Sequence, residues 1–228
     1  MEREHRALLR KAVVSIDPRS ADIPTVIQAA RLLFLGVLAW WTVGFAVHPL
    51  NGEYVGASFL HLINLPFHEA GHILFSPFGT FMTAFGGSLM QVLIPVICLI
   101  SFVRREDAFA AAVCAWWAGQ NLIDLGPYIA DARALQLVLL GGHTGAEVEG
   151  HDWEAILTSL GWLGYDRTLG YTAHWVGVLT MVGAIGVAGW RTSGARRTVL
   201  SRCTDPGSRI PDPKKGLQSL NPNLNPKP

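Results

Sequence analysis

The sequence has little charge. Only 15% of its 228 residues are Asp, Glu, Lys or Arg, whereas soluble domains usually carry about 25%. Half of the residues are apolar and the mean hydropathy is +0.31, so the chain has far too much apolar surface to stay disordered. This composition excludes an ordinary soluble domain and indicates a membrane protein.

The sequence also lacks a charge excess and a set of paired cysteines. The net charge is only +1, which gives no electrostatic basis for binding nucleic acid. Three cysteines cannot form an even set of disulfides, and two of them, Cys98 and Cys114, lie in apolar stretches. We expect free thiols that pack as small apolar side chains. No early apolar stretch ends in a small-residue cleavage site, so we expect no removable signal peptide.

Long apolar stretches dominate the middle of the chain. A helix that crosses a membrane needs about 20 mostly apolar residues. Five stretches approach that length, at residues 27–47, 54–75, 81–103, 108–129 and 171–190. The joins between the first four are short, which makes neighbouring helices antiparallel. The sequence therefore predicts an all-α, polytopic transmembrane helical bundle.

The basic residues lie mainly at the two ends of the chain. Of the 18 Lys and Arg, five lie in residues 1–24 and eight in residues 191–228. The positive-inside rule places both ends in the cytoplasm, which requires an even number of crossings. We therefore expect five to six membrane segments. Either one segment is re-entrant, with the third interrupted at Gly86-Gly87-Ser88, or residues 131–170 contain another crossing.

Three regions follow from this distribution. Residues 1–24 are predicted to form a basic N-terminal tail and residues 25–190 the membrane domain. Residues 191–228 are basic and rich in Pro and Asn, and we expect them to be disordered. We expect an integral protein of the cell membrane with both tails in the cytoplasm.

The second apolar stretch contains the motif His68-Glu69-Ala70-Gly71-His72. Two histidines four residues apart share one helix face and lie about 6 Å apart along the axis, so both imidazoles can reach one zinc ion. Glu69 lies beside that face, where a general base for a zinc-bound water belongs. Ionisable side chains within a membrane segment are costly and usually functional.

Polar residues extend this face towards the N-terminus. His61 and Asn64 lie on roughly the same side of the predicted helix as His68. We expect this face to line a water-accessible cavity, with a hydrogen-bonded packing role for His61 as the alternative. Pro66 is predicted to break or begin the helix just before the motif.

A catalytic zinc ion normally has three protein ligands, so a third is needed. The fourth stretch offers Asp124 and Asp131. Asp124 lies about as far into its stretch as His68 does, although Gly126-Pro127 is predicted to unwind the helix beyond it. The amide of Asn121 could bind a substrate backbone or join helices.

The motifs together resemble the site-2 protease family of intramembrane zinc metalloproteases. The resemblance covers roughly residues 54–140 and includes HEAGH, GGSLMQVLIP at 86–95 and NLIDLGPYIADARALQL at 121–137. It implies a zinc-dependent endopeptidase that cleaves membrane-spanning proteins or peptides within the lipid bilayer. The residues it implies are the metal ligands His68, His72 and Asp131 (alternative Asp124), the catalytic Glu69 and the substrate-binding Asn121. The chain departs from the family at Ala132, where the family has Gly, and at Gln91, where it has Asn.

Two alternatives stay open. The loop that contains His143, Glu147, Glu149 and His151-Asp152 is rich in ligand-type residues, and it predicts either a second metal site or a solvated loop that gates the first. The rival function is a membrane zinc-binding or ion/proton transport protein without hydrolytic activity. Glu69 favours the hydrolase, because a transporter needs no unligated base beside the metal.

Overall fold

The structure is a computed structural model that describes residues 25–148 and 150–204, with side chains as far as residue 192. No β-strand occurs in these residues, and an isolated bridge joins Val138 to Thr144. The prediction of an all-α fold is confirmed. The expected N-terminal tail at 1–24 lies outside the described residues. Of the tail expected at 191–228, the structure describes residues 191–204, which are helical and not disordered as predicted.

The described part of the chain contains seven α-helices. They are α1 (Thr25–Ala46), α2 (Gly52–Gly56), α3 (Phe59–Phe75), α4 (Thr80–Arg104), α5 (Ala108–Ala130), α6 (Asp152–Ser159) and α7 (Asp166–Thr204). Three helical segments are long and apolar enough to cross a membrane, namely Thr25–Ala46, Thr80–Arg104 and Leu163–Thr192. The larger count of five to six segments stays a prediction. The last helix also continues to Thr204, past its expected end near residue 190.

The predicted breaks at Pro66 and Gly126-Pro127 do not occur. Pro66 lies inside α3 and Pro127 inside α5, and both helices continue through them. A proline within a helix costs about 3 kcal/mol in isolation. Membrane-type bundles tolerate such prolines because neighbouring helices and small local adjustments compensate for the lost hydrogen bond. Likewise α4 passes through Gly86-Gly87-Ser88 without interruption, so this motif does not divide the third segment.

Glycines instead set how closely the helices approach. A Cβ atom on Gly71 of α3 would collide with the backbone oxygen of Gly86 of α4, and a Cβ on Gly86 would meet the Gly71 oxygen at 2.8 Å. Likewise, a Cβ atom on Gly170 of α7 would lie 2.7 Å from the backbone oxygen of Gly126 of α5. Small residues allow backbones in a membrane-type bundle to pack directly against each other. The α3–α4 contact brings the histidine motif against the glycine motif.

The chain between α5 and α6 is a structured loop. Asp131 ends α5, and its carboxylate accepts hydrogen bonds from the backbone N–H groups of Gln136 and Leu137. Arg133 pairs with Asp166 at the start of α7, at 2.7 Å. The loop then returns towards α4, where the Trp153 indole N–H donates to Ser88 Oγ at 3.1 Å. As a result, the N-terminus of α6 lies against the middle of α4.

Cys98 and Cys114 are free thiols, as expected. Cys114 is buried in α5 and Cys98 is half-buried in α4. The side chain of the third cysteine lies beyond the described side chains.

Candidate metal centre

Two histidines and one aspartate converge between α3, α4 and α6. The Nε2 atoms of His68 and His72 lie 3.2 and 3.3 Å from the same oxygen, Oδ2 of Asp152. The histidines come from successive turns of α3, and Asp152 is the first residue of α6. Their ligand atoms all lie within 4.8 Å of one another, which is close enough to share one ion.

The other ring nitrogen of each histidine faces an oxygen that can only accept. His68 Nδ1 lies 2.9 Å from the side-chain oxygen of Gln91, and His72 Nδ1 lies 2.8 Å from the backbone oxygen of Thr83. The neutral tautomer that satisfies these two contacts has its proton on Nδ1 and donates it. Each Nε2 is left with a lone pair directed at the centre, which is the tautomer that binds metal.

This arrangement fits a zinc ion. Two imidazole lone pairs and a carboxylate oxygen that face one another can hold a cation among them. Zinc bonds of 2.0–2.2 Å in a tetrahedron place neighbouring ligand atoms about 3.3 Å apart, which agrees with the two distances to Asp152. Two imidazoles and one carboxylate form a catalytic type of ligand set, which leaves the fourth position open.

Tyr128 holds Asp152 in place. The Tyr128 hydroxyl donates to Asp152 Oδ2 at 3.0 Å, and the Asp152 backbone N–H donates to the same hydroxyl at 2.9 Å. In the metal-free site, burial acts to raise the pKa of the Asp152 carboxyl, but hydrogen bonds from protonated His68 and His72 outweigh it and lower that pKa to about 2. Asp152 is therefore an ionised carboxylate held in a fixed position beside the two histidines.

The Tyr128→Phe variant tests this support. It removes the hydroxyl that fixes Asp152, and loss of such an outer partner typically lowers metal affinity about 10–100-fold. Competition between the purified protein and a chelating dye measures the zinc affinity. Tyr165→Phe is the matched control, because Tyr165 is exposed and lies outside the cavity. Equal zinc affinity in Tyr128→Phe and the parent chain would show that Asp152 needs no such support.

Gly87 keeps the centre open. A Cβ atom on this residue would lie 2.6 Å from Nε2 of His68 and 2.7 Å from Nε2 of His72. It would therefore lie close to where a shared ion must bind. The glycine motif on α4 thus permits close packing at Gly86 and leaves space for an ion at Gly87.

Glu69 shares a cavity with the three candidate ligands. The cavity has a volume of about 540 Å³, and its lining includes His68, Glu69, His72 and Asp152. Glu69 is exposed in it, whereas His68 is buried. Apolar side chains of residues 137–140 form part of the wall. A carboxylate in the same cavity as the metal ligands is a candidate general base for hydrolysis.

The sequence places the third ligand at Asp131 or, as the alternative, at Asp124, but the structure places neither carboxylate beside the histidine pair. The Asp131 carboxylate accepts hydrogen bonds from two backbone N–H groups of the loop after α5. Its Oδ2 lies 3.6 Å from Nε2 of His151. Asp124 lines the cavity but is bonded to His61, Asn64 and Gln91. Among the described residues, Asp152 is the carboxylate that meets the histidine pair, because the loop after α5 folds back onto α4.

The structure places Asn121, the predicted substrate-binding residue, in the interior of the protein. Its side chain is fully buried and donates to the backbone oxygen of Trp117, one turn earlier in α5, at 2.9 Å. It is not among the cavity-lining residues. His61 does line the cavity, as the sequence predicts for this face of α3, and Asn64 is buried.

The ligand-rich loop contributes to the centre itself. His151 caps α6 by accepting from the Glu154 backbone N–H, and Glu147 accepts from Thr144. The described residues of this loop form no second group with metal-binding geometry, and Glu149 lies outside them. The high density of ligand-type residues was the one sequence signal for Asp152.

Comparisons with protein-family models, with curated proteins and with solved structures find no match for this chain. The function is therefore inferred from the geometry of the site and from the motifs.

Proposed function

We propose that this protein is an intramembrane zinc-dependent metalloprotease that hydrolyses peptide bonds of membrane-spanning substrates. The observation that carries the proposal is the convergence of His68, His72 and Asp152, whose ligand atoms all lie within 4.8 Å of one another, in a cavity that Glu69 also lines. The resemblance of the motifs to the site-2 protease family supports the same reaction.

Each residue of the site has a distinct part in this reaction. His68, His72 and Asp152 would hold the zinc ion, which when bound lowers the pKa of its water to about 7 and polarises a carbonyl group. Glu69 takes a proton from the water that attacks the peptide carbonyl carbon. It then gives that proton to the amine nitrogen as the C–N bond breaks.

A membrane location is supported by the surface of the described chain. Three helical segments are long and apolar enough to cross a bilayer, and large apolar side chains on α1 and α7 are exposed, such as Leu33 at 74% and Leu179 at 70%. Lipid acyl chains are the environment that such a surface suits. A helical substrate must unwind before its amide can be attacked, because helical backbone groups bond to one another.

Metal removal in vesicles tests the proposal. The full chain is reconstituted with a designed substrate, a Leu-rich segment of about 20 residues that a central Gly-Pro pair makes easy to unwind. We expect about one zinc per chain, cleavage that stops when phenanthroline removes the zinc, and recovery when zinc is returned. Cleavage that continues without metal would contradict a metalloprotease. Zinc flux across the vesicle membrane without any cleavage would favour the transport function.

A further inference from the structure

We propose that Asp124 is a positioning residue of the metal centre and acts on His68 through Gln91. This inference rests on the metal site of the proposed function. It makes no use of the hydrolytic step. Asp124 therefore has a defined part in the centre without being a ligand.

A continuous chain of hydrogen bonds joins the three side chains. His68 Nδ1–H donates to the Gln91 side-chain oxygen at 2.9 Å, and the Gln91 amide nitrogen donates to Asp124 Oδ2 at 2.8 Å. All three residues are buried, with Gln91 3% and Asp124 8% exposed. The chain runs from α5 through α4 to α3, so it also joins the three helices behind the centre.

The glutamine in the middle of this chain is ambiguous on its own. An amide can present either its oxygen or its NH2 group to His68 Nδ1. The oxygen requires the proton on Nδ1, which leaves Nε2 free for metal. The NH2 group would require the lone pair on Nδ1 and move the proton to Nε2, where it would block metal binding.

Asp124 removes this ambiguity, because a carboxylate can only accept. The NH2 group of Gln91 must face Asp124, so its oxygen must face His68. His72 needs no such device, since its Nδ1 donates to the backbone carbonyl of Thr83, which cannot reverse. Only His68 relies on an amide, and Asp124 sets the direction of that amide.

Asp124 is itself held firmly. Its Oδ1 lies 2.9 Å from Nδ1 of His61, and its Oδ2 also accepts from the Asn64 side chain at 3.1 Å. Asn64 in turn accepts from the Trp117 indole N–H at 2.9 Å. A buried carboxylate with this many hydrogen-bond partners keeps its position. The acceptor that orients Gln91 is therefore fixed before any metal binds.

A double-mutant cycle on zinc affinity tests whether Asp124 acts on His68 through Gln91. The variants are Gln91→Leu, Asp124→Leu and the double variant, each purified as the full chain and titrated with zinc alone against a chelating dye. We expect each single change to weaken zinc binding about 10–100-fold, as for other outer partners of metal-bound histidines. If Asp124 acts only through Gln91, adding Asp124→Leu to Gln91→Leu should weaken binding no further.

A second readout reports the proton directly. In zinc-free protein, the ¹⁵N chemical shifts of His68 should show Nδ1 protonated in the parent chain and a mixture of tautomers in Asp124→Leu. If that variant does not fold, Asp124→Asn replaces it, because an amide at 124 can also donate and so weakens the selection. Thr42→Val is the matched control: Thr42 is buried and bonded to Trp116, away from the cavity, so its loss should leave zinc affinity unchanged.

The outcomes separate this inference from the proposed function. If Asp124→Leu weakens zinc binding by the same factor in the parent protein and in Gln91→Leu, Asp124 does not act through Gln91 and the inference is overturned. A His68 tautomer that stays the same in Asp124→Leu would also overturn it. Both results would leave the zinc protease intact. A parent chain that binds no zinc would overturn both. If zinc binds and the double-mutant cycle gives the expected affinities, but no peptide is cleaved, only the proposed protease function is overturned.

Discussion

The Asp152→Asn variant is expected to purify almost free of zinc. The change removes the one negative charge among the three candidate ligands and leaves two neutral imidazoles. Loss of a direct ligand should cost more than the roughly 10–100-fold typical of an outer partner. Elemental analysis of the purified protein gives the zinc content per chain, and chelator competition gives the residual affinity.

Asp131→Asn makes the same chemical change at the ligand that the family resemblance implies. Asp131 accepts from the Gln136 and Leu137 backbone N–H groups, so we expect this variant to lose some loop stability and to keep its zinc. The pair of variants decides between the two carboxylates. Zinc lost from Asp131→Asn and retained in Asp152→Asn would show that the third ligand is Asp131.

Replacing Glu69 with Gln should abolish most of the turnover while zinc stays bound. Glutamine has nearly the same shape but cannot accept the proton of the attacking water. A positioned general base typically contributes about 10²–10⁴-fold in rate, and a loss of that size is expected. The measurement is the initial rate of cleavage of the Leu-rich substrate in vesicles, with zinc content determined on the same samples.

Glu53→Gln is the matched control for this variant, because Glu53 is exposed and is not among the cavity-lining residues. It should cleave at the parent rate. A Glu69→Gln variant that cleaves normally would place the general base elsewhere. A variant that loses zinc along with its activity would make Glu69 part of the metal site itself.

The local features of this protein can be predicted from sequence because they repeat along a helix. Apolar stretches of the right length become helices, and the all-α prediction is confirmed. The spacing within HEAGH places both imidazoles on one face of α3, since four residues make about one turn. The same regularity puts His61 on the cavity side, two turns before His68.

Predictions that treated prolines and glycines as local signals were less successful. The helices α3 and α5 continue through Pro66 and Pro127, because packing against neighbouring helices compensates for the hydrogen bond that a proline cannot donate. Gly86 and Gly87 leave α4 unbroken and instead meet α3 and its histidines. What these residues do depends on the element that packs against them, which sequence spacing does not contain.

The sequence was sufficient for the all-α class and for two histidines on one helix face, because these depend on interactions within a turn or two. The third candidate ligand depends on the tertiary structure. Asp152 lies 84 residues after His68 and reaches it because the loop after α5 folds back, with Trp153 bonded to Ser88 and Tyr128 bonded to Asp152. Helix periodicity cannot give the path of a loop, so only the folded chain decides which carboxylate joins the two histidines.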